Sequence, residues 1–259
     1  KYLILVTQIP DFEFPATSLL IQKRLGIGKD CLAFDVNLGC SGYVAGIQIL
    51  SALLQSNGGR GILMVGDIEY RTLEERNSPE YANQITDDML FGAAATATAI
   101  EFEDGNRIDY MQNSNGEGYD VILRKKGEFT QMDGSAVFSF TMEDVADSIK
   151  LFRKQLNLQE DNIDFYVFHQ AQKMILENLA DICDIKYEKV LSSLKEYGNT
   201  SSASIPLTIC ANREKYQEKE SINIYMCGFG VGLSWGSIYT TLDTKCIFDV
   251  IETDKYYVE

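Results

Sequence analysis

The 259-residue chain holds no uninterrupted apolar run of the ~18 residues that a membrane-crossing helix needs. Its opening, KYLILVTQIPDFEF, is apolar but reads as a strand rather than a secretory leader. Positive charge is scarce: 23 Lys and Arg stand against 38 Asp and Glu, a net charge of −15. That balance argues against nucleic acid, which selects basic faces, and against anionic membranes. Histidine occurs once, and none of the six cysteines (31, 40, 183, 210, 227, 246) forms a Cys-x-x-Cys pair, so no metal site is expected. The cysteine spacing does not resemble a secreted disulfide framework. Most thiols lie in apolar runs, where a buried free Cys is ordinary, and a reducing, cytoplasmic compartment is expected. What is present is a globular composition, 45% hydrophobic and 24% charged, enough for one large domain or two modest ones.

Apolar β-rich runs alternate with helical patterns. Residues 2–7, 32–37 and 61–67 read as strands buried on both faces. Residues 18–26 read as a helix with a Ser18 cap and a Gly stop, and 41–59 as a helix ended by Gly-Gly. Shorter strands are expected at 95–102, 107–113 and 119–125, then a helix at 141–158 opened by a Thr141 cap. A strand at 164–170 leads into a helix to about 181, and 202–215 reads as a helix with Pro206 in its first turns. Strands at 221–228 and 232–242 follow, and then a tail of uncertain structure.

The chain echoes itself. YLILVTQ matches FYVFHQ, the loop around Cys40 matches the loop around Ser201, and ILMVGD matches NIYMCG, each at an offset of about 161 residues. Two similar α/β halves follow, at 1–103 and 104–240, with a tail at 241–259. The second half carries some 60 residues before its FYVFHQ strand and the first almost none, so one N-terminal strand–helix unit is expected to be missing.

Chemistry concentrates at the loop ends of this pattern. Cys40, in D-V-N-L-G-C-S-G-Y (35–43), sits between a strand's carboxyl end and a helix start, where ligands of parallel sheets bind. First-turn N–H groups and the helix dipole would favour its thiolate. The alternative is an inert buried cysteine like Cys210 or Cys227. His169 ends a strand at the matching place in the second half. Asn199, in Y-G-N-T-S-S-A-S, is first of all a turn and cap residue. The echo nevertheless lays its loop over the Cys40 loop, so the two would face each other across one cleft. The run C-G-F-G-V-G-L-S-W-G (227–236) lets backbone come close to a ligand, either to offer N–H groups to an oxyanion or to form a tight turn. Asp87 and Asp88 read as solvated surface.

Taken together, F-D-V-N-L-G-C-S-G, M-D-G-S-A-V-F-S-F (132–140), D-F-Y-V-F-H-Q-A-Q, Y-G-N-T-S-S-A-S-I-P and G-F-G-V-G-L-S-W-G-S resemble the β-ketoacyl-acyl-carrier-protein synthase III family over about residues 1–240. The resemblance implies a thiolase-like duplicated α/β fold, layered α-β-α-β-α, and a homodimer. It implies that Cys40 accepts the acyl group from acyl-CoA. His169 and Asn199 then bind the thioester carbonyl of a malonyl donor on acyl carrier protein. It places the oxyanion at the N–H groups of Cys40 and Val231, with Phe229, Gly230 and Phe91 around the substrate pocket. No resident cofactor is implied, only coenzyme A and phosphopantetheine thioesters as substrates.

The chain departs from the family at several points. Gln172 stands where the pattern has Asn, and Met174 where it has an Arg that docks the carrier. Ala93–Ala95 replaces Gly-Asp-Gly-Ala after Leu-Phe-Gly, Val231 replaces a Gly, Tyr43 replaces a Phe, and the C-terminal tail is longer. Competing readings are a non-decarboxylating acyltransferase of secondary metabolism and a catalytically idle dimer partner. A Cys–His peptidase is a further alternative, although the C-G-S-C-W signature is absent.

Overall fold

The computed structural model describes residues 1–68, 91–105, 107–126 and 128–253. Asp87, Asp88 and Leu90 lie outside the described residues. Strands β1 (Tyr2–Val6), β2 (Leu32–Val36), β3 (Arg60–Gly66) and β4 (Ala95–Glu101) form one sheet, ordered β2-β1-β3-β4. Next come β5 (Ile108–Ser114) and a short pair, β6 (Ile122–Leu123) with β7 (Gln131–Met132). With β8 (Phe165–Phe168), β9 (Ser221–Gly230) and β10 (Ser234–Asp243), β5 builds the second large sheet, ordered β5-β10-β9-β8. The helices are α1 (Thr17–Arg24), α2 (Gly42–Asn57), α3 (Gly134–Phe140), α4 (Ala146–Gln155), α5 (Lys173–Ile182), α6 (Leu194–Tyr197) and α7 (Ser204–Ala211).

The sequence echo is a repeat of topology. β1 runs parallel to β3, which pairs antiparallel with β4. Likewise β8 runs parallel to β9, which pairs antiparallel with β10. The place of β2 beside β1 is taken in the second half by a single parallel bridge, Tyr166 to Val190. β5, on the far side of β10, has no counterpart among the described strands of the first sheet.

The burial pattern gives the layers. Tyr2, Ile4 and Val6 of β1 and Leu63 and Val65 of β3 share one apolar cluster with Val44, Ile47, Leu50 and Leu54 of α2. Ile205 and Ile209 of α7 and Val167, Met226 and Ile238 of the second sheet complete that cluster. Helices α2 and α7 are thus sandwiched between the sheets. Each such fully buried aliphatic side chain contributes ~1.5–3 kcal/mol of transfer free energy. On the outer face of the second sheet, Val145, Ile149 and Phe152 and Leu176 and Leu179 cover Tyr166, Phe168, Tyr225 and Cys227. α1 covers the outer face of the first sheet, against β1 and β2. The order is α-β-α-β-α.

Several sequence expectations are corrected. β2 is half-exposed rather than buried on both faces, because it is an edge strand paired only with β1 among the described residues. Ser18 does not cap α1: the N–H groups of Thr17 and Ser18 donate to the Asp35 carboxylate on β2, at 2.7 and 2.9 Å. The cap is therefore tertiary, and no local pattern encodes it. The helix expected from Thr141 starts about two turns earlier, where Asp133 accepts from the N–H groups of Ser135 and Ala136. Thr141 instead lies in a π-helical turn, Thr141–Val145, and donates to the carbonyl of Val137. A widened turn in mid-helix has no sequence signature of its own. Of the strand expected at 119–125 only Ile122–Leu123 forms, after a turn through Gly116–Gly118. The helix expected at 202–215 divides into 3₁₀ turns flanking α7, with Pro206 in its first turn as expected. Cys40, Cys183 and Cys227 are buried free thiols, but Cys246 is exposed.

Candidate active site

Cys40 and His169 both lie against the end of β9, and Asn199 hydrogen-bonds Ser201 in the facing loop. Cys40 follows β2 and immediately precedes Ser41, the N-cap residue of α2. The β9 strand end passes over it. A Cβ on Gly228 would lie 2.9 Å from the Cys40 carbonyl oxygen, and one on Gly230 only 3.2 Å from Cys40 Sγ. With φ at +155° as well, Gly230 admits no side chain. Between these glycines, Phe229 turns to the other side and meets the His169 ring edge-on, with centroids 5.5 Å apart and planes at 85°. Three consecutive residues of β9 thus contact both the thiol and the imidazole.

The backbone N–H groups of Cys40 and Val231 lie close enough to the Cys40 sulfur to favour its negative charge, the placement an oxyanion hole uses. Two serines hold this geometry. Ser234 donates to the carbonyl of Val231 at 2.7 Å, and Ser41 and Ser234 share a 2.6 Å bond. The expectation that the helix start favours the thiolate is overturned. Burial pushes the Cys40 thiol up to about 12, with the Asp67 charge adding to it, against partial relief from Ser201 and the two N–H groups. Desolvation outweighs the local dipoles.

His169 is 2% exposed, at the end of β8. Its N–H donates to the carbonyl of Cys227, and Nδ1 lies 2.8 Å from Ser204 Oγ. Burial pulls the imidazole down to about 4, partly opposed by a backbone hydrogen bond with Ser201. The ring is neutral near pH 7. In the tautomer where Ser204 donates to Nδ1, the ring proton sits on Nε2. Asn199 accepts the Ser201 N–H at 2.9 Å on its side-chain oxygen, which leaves the carboxamide N–H groups to donate elsewhere. Its own carbonyl accepts from Gly92 at 2.7 Å, so half-buried Phe91 lies beside this loop.

Sequence reasoning did not single out Ser41, Asp67, Ser201, Ser204 or Ser234. Asp67 gave the clearest signal, since it closes the run ILMVGD at a strand's carboxyl end. Among the described residues no cluster of potential ligands could hold a metal ion, and no helix is long and apolar enough to cross a membrane.

A layered, duplicated α/β fold with a buried thiol under two backbone N–H groups defines a thiolase-like acyl-transferring protein. Two family descriptions match the chain: 3-oxoacyl-[acyl-carrier-protein (ACP)] synthase III over residues 34–116, and its C-terminal part over 154–242. Curated relatives include β-ketoacyl-[acyl-carrier-protein] synthase III 1 of Halalkalibacterium halodurans, 30% identical over 238 residues. That match covers 91% of this chain and 74% of the relative. The Pseudomonas aeruginosa synthase III is 31% identical over 251 residues, covering 91% and 74%. Among solved structures, the 3-oxoacyl-(acyl-carrier protein) synthase of Burkholderia xenovorans superposes with a TM-score of 0.86 at 32% identity. It covers 97% of this chain and 76% of that one. A Xanthomonas campestris OleA variant shares the fold at a TM-score of 0.79 and 20% identity, covering 93% and 74%. The chain belongs to the β-ketoacyl-acyl-carrier-protein synthase III family, and it is a condensing acyltransferase of that kind.

Proposed function

We propose that this protein takes an acyl group from acyl-CoA onto Cys40 and condenses it with a malonyl thioester on acyl carrier protein, with loss of carbon dioxide. The observation that carries the reading is the pair of N–H groups, from Cys40 and Val231, aimed at the thiol. In the first half-reaction the Cys40 sulfur attacks the thioester carbonyl, whose oxygen swings into the space those N–H groups define. The bond to the coenzyme A sulfur breaks, and coenzyme A leaves as the thiol, carrying the proton that Cys40 gave up.

In the second half-reaction the malonyl thioester oxygen accepts hydrogen bonds from His169 Nε2 and Asn199 Nδ2. Carbon dioxide departs, and its bonding electrons become the enolate that these two neutral donors stabilise. A neutral imidazole suits this role, because burial keeps His169 unprotonated and edge-on to Phe229. The enolate carbon attacks the acyl-Cys40 carbonyl and expels the Cys40 thiolate, which takes up a proton from solvent. No resident cofactor takes part in this scheme.

The working unit is proposed to be a homodimer. The outer edge of β2 is unpaired among the described residues, Leu32 on it is exposed, and so are Ile9, Phe12 and Phe14 in the segment between β1 and α1. Carrier docking is the point of divergence: Met174, 55% exposed at the start of α5, offers a thioether where the family pattern has a guanidinium.

The test is carbon dioxide release from malonyl-acyl-carrier protein by the acylated enzyme, parent beside His169→Ala. The parent releases it and forms the 3-oxoacyl product. The variant still acylates Cys40 but releases none. Acyl transfer to an alcohol or amine without carbon dioxide release would replace this reading with that of a non-decarboxylating acyltransferase.

A further inference from the structure

Asp67 closes β3 in the interior and is almost fully buried, with a carboxylate that accepts four hydrogen bonds. Oδ1 takes the Thr7 hydroxyl at 3.1 Å and the Gln8 N–H at 2.7 Å, both from the end of β1. Oδ2 takes the hydroxyls of Ser201 and Ser202 at 2.8 and 3.0 Å, from the second half of the chain. Ser201 is the hub of the site. Its N–H holds Asn199, and it lies close enough to act on the proton affinities of both His169 and Cys40. It does this at φ +49°, a left-handed conformation that costs a serine ~1 kcal/mol and persists only where surrounding contacts enforce it.

We propose that Asp67 is the positioning residue of this site: its carboxylate takes the hydroxyl protons of Ser201 and Ser202 and so clamps the Asn199 loop to the carboxyl ends of β1 and β3. Asp67 therefore acts twice. It fixes the loop that presents Asn199, and its charge beside Cys40 disfavours the free thiolate. The first action bears on the decarboxylating half-reaction, the second on the resting thiol. The proposal rests on the reading of Cys40, His169 and Asn199 given above.

The test uses the full chain with Asp67→Asn, which is isosteric, and Ser202→Ala, which keeps the charge and loosens only the loop. Three rates are followed: Cys40 alkylation by iodoacetamide, Cys40 acylation by acyl-CoA, and carbon dioxide release from the malonyl thioester. Asp67→Asn is expected to alkylate about tenfold faster, the effect of one pKa unit on the thiolate fraction. Its carbon dioxide release falls ~10- to 100-fold, the penalty of a displaced donor, while acylation changes less than ~3-fold. Ser202→Ala slows carbon dioxide release ~3- to 10-fold and alkylates at the parent rate. Alkylation unchanged or slowed in Asp67→Asn, or acylation and carbon dioxide release falling together, overturns the proposal. Counting adducts by intact mass separates a changed site from an unfolded chain, in which the other thiols also react. If the parent neither acylates nor releases carbon dioxide, the functional reading fails. The alkylation comparison then still decides the place of Asp67.

Discussion

Ser41 and Ser234, 193 residues apart in the chain, share a buried 2.6 Å hydrogen bond. One directly follows Cys40 and the other lies three residues beyond Val231, so the bond ties the two halves of the N–H pair together. The proton order follows from the third partner. Ser234 gives its hydrogen to the Val231 carbonyl, so Ser41 must be the donor to Ser234. Ser234→Ala leaves both the Ser41 hydroxyl and the Val231 carbonyl unpaired. It is expected to cost ~1–3 kcal/mol of stability and to slow Cys40 acylation. Adding Ser41→Ala removes one of the orphaned groups and recovers part of the stability. A double-mutant cycle by denaturant unfolding reads the coupling, and additivity of the two variants would refute it.

Gly230→Ala places a methyl against Cys40 Sγ. Acylation is expected to fall ~100-fold, the cost of displacing a reacting atom by about 1 Å. Intact mass after a timed acyl-CoA pulse measures it. Parent-like acylation would mean that β9 yields at this point.

The His169 imidazole binds its proton near pH 4 in the folded chain, against 6.5 when unperturbed. As pH falls, the unfolded chain takes up that proton first. Its contribution to stability is thus complete above pH 6.5 and is lost as pH drops towards about 4. The shift corresponds to ~3 kcal/mol at its limit. Thermal melts of parent and His169→Gln at neutral pH and near pH 4.5 read the difference. The parent is expected to lose more stability than the variant on acidification, and identical losses would remove the desolvation account.

Met174→Arg returns a guanidinium to the exposed start of α5. Its expected effect is a ~3- to 10-fold lower KM for a carrier-bound donor, diminishing with salt, and no change in acylation by acyl-CoA. A salt-independent KM would place the carrier elsewhere.

Asp35→Ala strips the cap from α1 and is expected to cost ~1–2 kcal/mol by denaturant unfolding. Ser18→Ala should cost far less, since it is the Ser18 N–H that serves the cap and its hydroxyl has no hydrogen-bond partner among the described residues.

That contrast shows which parts of the molecule could be read from residues alone. Cys40 and His169 stand out in the sequence because each follows a strand in a repeated strand–loop–helix pattern, whereas Asn199, after α6, was tied to the Cys40 loop only by the echo of its Ser-rich turn. The sandwiched α2 was legible from its apolar spacing. Asp35 and Asp67 were not, because an aspartate closing or crossing a strand looks the same whether it meets solvent or a distant N–H. Only the fold brings Thr17 to the first and Ser201 to the second. The raised affinity of Cys40 for its proton was hidden for the same reason. Helix starts are local and visible, whereas desolvation depends on β9 passing overhead.

The central claim is that Cys40 carries the acyl group. The most direct measurement is intact mass of the protein after incubation with a panel of short and long acyl-CoAs, parent beside Cys40→Ala. A single acyl adduct on the parent, absent from the variant, is the predicted result, and the panel then ranks chain length. An adduct of equal yield on Cys40→Ala, or none from any acyl-CoA or acyl carrier protein, would contradict the account.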